Sequence, residues 1–142
     1  MKKTLFLLAL CLTMFSCKTY LISPQSLKEQ LESTNPEGAK QAKINNPLLG
    51  GTISYQANAL SVVNVMSKDG NLVTLANSPS LETRVTLRNG KKYTVYFDTL
   101  MLQNGILFGS GAKLFKIAER EIPFDSIVKV EIQDGGKNYT YK

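Results

Sequence analysis

Three short segments constrain the fold more than anything else in this chain: Ser67-Lys-Asp-Gly-Asn71, Leu87-Arg-Asn-Gly-Lys91 and Leu102-Gln-Asn-Gly-Ile106. Each places Asp-Gly or Asn-Gly between runs of alternating apolar and polar residues, the strongest short-range signal for a β-hairpin. Three such turns commit most of the region after Leu48 to antiparallel strands.

The loop length at each turn follows from the apolar face. With Asn89-Gly90 as a two-residue loop, Val85 would oppose Thr94 and Leu87 would oppose Lys92, mixing apolar and polar residues on each face. With Arg88-Asn89-Gly90 as a three-residue loop, Thr83 opposes Val95, Val85 opposes Tyr93 and Leu81 opposes Phe97, so one face becomes almost wholly apolar. Register follows the hydrophobic face, which favours the three-residue turn with a left-handed glycine at the bulge position. The same shift pairs Val65 with Val73 and Val63 with Leu75. At the third turn it pairs Leu102 with Ile106 and Leu100 with Phe108.

Further on, "IPFDSIVKVEIQDGGKNYTYK" (122–142) alternates again. Val128, Val130 and Ile132 should point one way and Lys129, Glu131 and Gln133 the other. Asp134-Gly135-Gly136 should turn the chain, with Tyr139 and Tyr141 returning on one face. Pro123 lacks a ladder N–H, so "PFDS" reads as a tight turn before the strand. Residues 109–118 read equally as strand, loop or a helical turn. Strands of this kind need their apolar face covered or closed. The expectation is a mainly β domain over 48–142, a small antiparallel barrel or curled roll of about seven to nine strands.

Residues 18–47 show no strand-like alternation. Ser23-Pro24 reads as an N-cap and first helical position, Ser26-Leu-Lys-Glu29 has capping-box spacing, and Leu27 and Leu31 share a face. A short helix over about 24–33 is expected, ended by Asn35-Pro36 and Gly38, with 36–47 as linker. Residues 17–47 would then be a tether carrying one helix.

The N-terminus opens with Lys2 and Lys3, followed by an eleven-residue apolar run, Leu5–Phe15. That run is too short to span a bilayer, which needs about 20 residues, and suits a secretory signal peptide over 1–16. The chain has two cysteines, Cys11 and Cys17, and no histidine. Met14-Phe15-Ser16-Cys17 resembles the lipobox of bacterial lipoproteins. The resemblance implies cleavage before Cys17, diacylglyceryl transfer to its sulfur and acylation of the new amine. Cys11 fits this role poorly, because Leu10 stands where a small residue is required. More broadly, "FSCKTY", "SPQSLKEQLESTNP", "NSPSLETRVTLRNGKKYTVYFDT" and "IPFDSIVKVEIQDGGKNY" resemble small uncharacterised lipoproteins of Bacteroidota. The stretch 82–132 is loosely similar to SH3-like and Sm-like barrels. Neither resemblance brings an established activity.

Several chemistries are poorly served by this composition. Without histidine there is no Ser-His, Cys-His or His-metal site, and Cys17 would be acylated. Gly109-Ser-Gly-Ala-Lys113 lacks phosphate-loop spacing. Glu119 and Glu121, with Asp125, read as the solvent side of a strand and its turn. Loss of Lys2 and Lys3 lowers the net charge from +6 to +4, and nucleic acid is not an expected partner of an exported chain. Tyr96, on the outer face with Thr94 and Asp98, is the candidate ligand-binding residue. No cofactor or metal site is expected. The functional expectation is a non-catalytic, membrane-anchored envelope lipoprotein that binds a protein or cell-wall partner. The alternative is a carbohydrate- or lipid-binding β module. The absence of acidic residues just after Cys17 implies, by the same resemblance, the outer membrane, facing the periplasm.

Overall fold

The computed structural model describes residues 18–34, 39–113 and 119–142. The chain is mainly β, and its strands form three antiparallel sheets without closing into a barrel. Among the described residues there are eleven strands and one α-helix, more strands than the seven to nine expected. The surplus comes from stretches expected to be tether and from residues on either side of 109–118.

The principal sheet has six strands in the order β5-β4-β1-β11-β6-β7. These are β1 (Thr19–Ile22), β4 (Val62–Met66), β5 (Leu72–Ala76), β6 (Leu81–Leu87), β7 (Lys92–Tyr96) and β11 (Ile127–Asp134). A three-stranded sheet joins β8 (Met101–Gln103), β9 (Ile106–Ser110) and β10 (Glu119–Pro123), and β2 (Lys40–Asn45) and β3 (Thr52–Ala57) form a separate ribbon. Helix α1 (Pro24–Glu32) packs on β11 and β8. One core results. Leu27 and Leu31 of the helix meet Val63, Val65, Val85, Val130 and Ile132 of the large sheet and Leu107 and Ile122 of the small one.

Two hairpins have the expected three-residue turns. Val65 pairs with Val73 and Val63 with Leu75, and Thr83 pairs with Val95 and Val85 with Tyr93. At the second, Gly90 is left-handed (φ +85°) and the Leu87 N–H donates to the Lys91 carbonyl at 2.8 Å. The ladder closes at Glu82–Tyr96. Phe97, expected opposite Leu81, instead begins a 3-10 turn, Phe97–Thr99.

The third hairpin differs. Leu102 pairs with Leu107 and Met101 with Phe108, around a two-residue loop whose Asn104 (φ +50°) and Gly105 (φ +74°) are both left-handed. Here both faces carry apolar residues, so the pattern cannot choose a register, and the type I′ preference of Asn-Gly decides. A second correction concerns Val128. A bulge between Ile127 and Lys129 turns Val128 outward, half-exposed, while Ile127 and Val130 point inward. Pro123 does end β10, and Phe124–Ser126 form the tight turn before β11. The C-terminal segment makes no return strand. Tyr141 contributes a single bridge to Ile44.

The stretch expected to be tether is largely built into the fold. β1 lies between β11 and β4. Its Thr-Tyr-Leu-Ile run shows no polar alternation, although only Ile22 is buried, with Thr19 and Tyr20 half-buried and Leu21 exposed. β2 inserts Ala42 and Ile44, its only apolar residues, into the interior. Helix α1 starts as expected: Ser23 Oγ accepts from the Ser26 N–H at 3.1 Å and Pro24 follows it. Ser26 is therefore not the cap, and Glu29 instead accepts from Gln25 Nε2. Helix α1 is capped at Ser33, and the expected stop at 35–38 lies outside the described residues. Gln30 joins helix to sheet by mimicking a peptide group. Its Nε2 donates to the Asn64 carbonyl (3.0 Å) and its Oε1 accepts from the Asn64 N–H (2.8 Å).

Candidate functional site

Where β7 ends, the chain turns inward and carries Asp98 to a fully buried position. Three other segments converge on it, together with the last residue of β7. Lys113, just beyond β9, donates from Nζ to Asp98 Oδ1 and, at 2.9 Å, to the Tyr55 hydroxyl. Tyr55, in the middle of β3, donates to Asp98 Oδ2. Tyr141 donates to the same oxygen at 2.9 Å. Tyr96, the last residue of β7, offers its ring face to the Lys113 ammonium at 4.6 Å, and the Tyr55 ring lies 4.1 Å from it. Tyr139 meets Tyr96 edge-on, with centroids 6.0 Å apart.

Why the turn reaches so deep is visible in the backbone. The Asn58 N–H donates to the Asp98 carbonyl at 2.7 Å, and Asn58 Nδ2 donates to the carbonyls of Phe97 (2.8 Å) and Leu100 (3.2 Å). Asn77 Nδ2 in turn holds Asn58 Oδ1 at 2.8 Å. A turn made of peptide groups is stable inside a protein only when those groups are paired; Asn58 pairs them, and Asn77 holds Asn58 in place.

The electrostatics follow from burial. The side chains of Lys113 and Asp98 have no exposed surface. Burial disfavours the ammonium and brings the Lys113 pKa down to about 8, although the Asp98 charge opposes the shift. Tyr55 and Tyr141 are held well above the usual phenol range, first by burial and then by donating to, and lying beside, the Asp98 carboxylate. Tyr96 is pushed up to about 12, again chiefly by burial. All three phenols are therefore neutral at ordinary pH and act as hydrogen-bond donors or as ring faces. The interaction that survives such burial is the charge-assisted, fully partnered kind.

The cluster opens onto neither of two surface clefts. One, of about 110 Å³, lies between the end of α1 and β8, against Leu31, Thr34, Asn58 and Met101. The other, of about 470 Å³, lies beside Lys18 and Tyr20, with Leu75, Leu81 and Asp134. What the Asp98 cluster does is join four segments distant in sequence: β3, the turn after β7, the segment after β9 and the C-terminal residues.

Of the residues singled out from sequence, Cys17 lies outside the described residues. Tyr96 belongs to the cluster but is 6% exposed, not an outward platform. The C-terminal segment and the β2–β3 ribbon cover the face on which alternation placed it. Glu119 and Glu121 are exposed on β10, and among the described residues no three His, Cys, Asp or Glu side chains gather as a metal site. Lys113 turns inward, away from any loop suited to phosphate. Asp98, Lys113, Tyr55 and Tyr141 were not legible as a group. The nearest signal was Asp98 itself, a carboxylate closing an apolar strand. Comparison with protein-family models, curated proteins and solved structures finds no match to this chain.

Proposed function

We propose that the chain is a membrane-anchored lipoprotein of the cell envelope, non-catalytic, whose β domain binds a protein or cell-wall partner. The observation that carries this reading is the Phe15-Ser16-Cys17 sequence after a basic start and an eleven-residue apolar run. Two structural features are compatible with it. Among the described residues no helix is long and apolar enough to cross a membrane, so the anchor in this reading is the lipid. In the cluster described above the Asp98–Lys113 ion pair has no exposed side-chain surface and joins segments, which suits a rigid binding domain better than chemistry on a substrate. The carbohydrate-binding alternative loses its main support, since Tyr96 presents no exposed ring.

The placement proposed is the outer membrane, facing the periplasm, because residues 17–23, CKTYLIS, include no acid. The test is metabolic labelling. The wild-type chain should take up labelled palmitate and partition into detergent. Cys17→Ser should abolish both and Cys11→Ser neither. Absence of label on the wild-type chain would overturn the reading. Protease added to intact cells should cut only after the outer membrane is permeabilised.

A further inference from the structure

Resting on that reading of Cys17, we propose that the domain sits directly on the bilayer, with the β1–β4–β5 corner of the large sheet in the lipid interface. Two independent observations lead there. The first is chain length. β1 begins at Thr19, so one residue, Lys18, and about 7 Å of extended chain separate an acylated Cys17 from the middle of a six-stranded sheet. The 17–47 tether expected from sequence would have let the domain stand off. β1 is hydrogen-bonded on both sides, to β11 and β4, so it cannot peel away as a linker without breaking the sheet.

The second observation is an apolar row on the outer face of the same corner. Leu21 pairs with Met66, and Met66 pairs with Leu72. These directly opposed side chains on three neighbouring strands are 41%, 43% and 73% exposed. The strand directions put this row at the anchored end. β4 runs antiparallel to β1, so its far end and the Ser67–Asn71 turn lie beside the start of β1. Charges there are balanced: Lys18 and Lys68 against Asp69 and Asp134. The contact is therefore apolar, a few side chains dipping into the headgroup boundary, and needs no anionic lipid. The opposite end of β11 is marked by Val128, half-exposed at its bulge. Four strand residues lie between it and Gln133, the partner of Thr19, a distance of about 17 Å.

The chain contains no tryptophan, so a single introduced indole is a clean depth probe. Leu72→Trp and Val128→Trp are prepared in the full-length lipidated protein and reconstituted into phosphatidylcholine vesicles, with and without brominated acyl chains. Both variants sit at exposed positions and should fold. Bromolipid should quench Leu72→Trp several-fold more strongly than Val128→Trp, with the same ratio at low and high salt. Equal quenching of the two, on protein that carries the palmitate label, would overturn the placement while leaving the anchor intact. Failure to label would overturn the anchor, and the placement with it. A second copy is the competing occupant of the row. Concentration-dependent dimerisation of the Cys17→Ser protein, abolished by Leu72→Glu, would also overturn the bilayer assignment.

Discussion

Lys113→Met tests what the buried cluster contributes. Methionine keeps most of the length and apolar volume of the lysine stem but removes the ammonium. Asp98 then stays fully buried with its Oδ2 still accepting from Tyr55 and Tyr141 and its Oδ1 without the lysine. Removing one partner of a buried ion pair leaves an uncompensated charge and typically costs about 3–5 kcal/mol. The lower end is expected here, because two phenol donors remain and because burial already disfavours the charged lysine, lowering its pKa to about 8. For a domain of this size, roughly 3 kcal/mol corresponds to a fall in Tm of about 10 °C, read by far-UV circular dichroism on heating. Lys113→Met with Asp98→Asn removes both charges while keeping an acceptor for the tyrosines. It should recover at least about 2 kcal/mol relative to the sum of the single variants, the coupling expected of contacting residues. A Lys113→Met protein within about 1 kcal/mol of wild type, or additive single variants, would refute the assignment of this cluster as a structural joint.

The pH profile follows from the same groups, with opposite signs. The folded Lys113 pKa lies below its unfolded value, so the unfolded chain binds the extra proton between about pH 8 and 10.5, and stability should rise with pH through that window. Tyr55 and Tyr141 are raised, so their contribution is present below pH 10 and lost above it, and Tm should turn over there. Tyr55→Phe should flatten the alkaline fall, and an unchanged fall would count against the phenol's role. Gly90→Val should cost roughly 1–3 kcal/mol in urea unfolding. The added side chain meets open space, so the whole effect is the left-handed backbone (φ +85°), and an unchanged midpoint would remove the bulge.

What could be read from sequence divides along the range of the interaction. The turns at 67–71 and 87–91 were legible because an Asn-Gly or Asp-Gly pair and the strands it joins lie within a dozen residues, and one apolar face fixes the register. The turn at 102–106 was not, since Met101, Leu102, Leu107 and Phe108 put apolar groups on both faces and hydrophobicity stops choosing. Ser23-Pro24 announced the helix through local capping chemistry. β1 stayed hidden because Thr19 pairs with Gln133, far along the chain, and a four-residue run carries too little pattern alone. β2 pairs with β3 only a short loop away, Asn45 opposite Thr52, but two apolar residues in six left its alternation too weak to read. The Asp98 cluster fails for the same reason as β1. Its members come from four places, and nothing about a lysine after "GSGA" says that it will fold inward. Tyr96 was placed on the correct side of its strand, but the ribbon and C-terminal residues that cover it are tertiary.

The pairing of β1 with β11 also orders events in time. The first strand of the fold has one neighbour, β4, in the first half of the chain and the other, β11, at its end, and contacts between chain ends are the slowest to close. A chain made from its N-terminus would form the β4–β5 and β6–β7 hairpins early, yet hold β1 on one side only, through the pairing of Leu21 with Met66, until Asp134 emerges. On the proposed lipoprotein reading, that interval is when a peptidase and acyltransferases confined to the bilayer would reach Cys17. Arrival of β11 then closes the sheet and, on the same reading, shortens the leash to one residue, Lys18. In this sequence of events the strand serves first as slack and afterwards as a fastening.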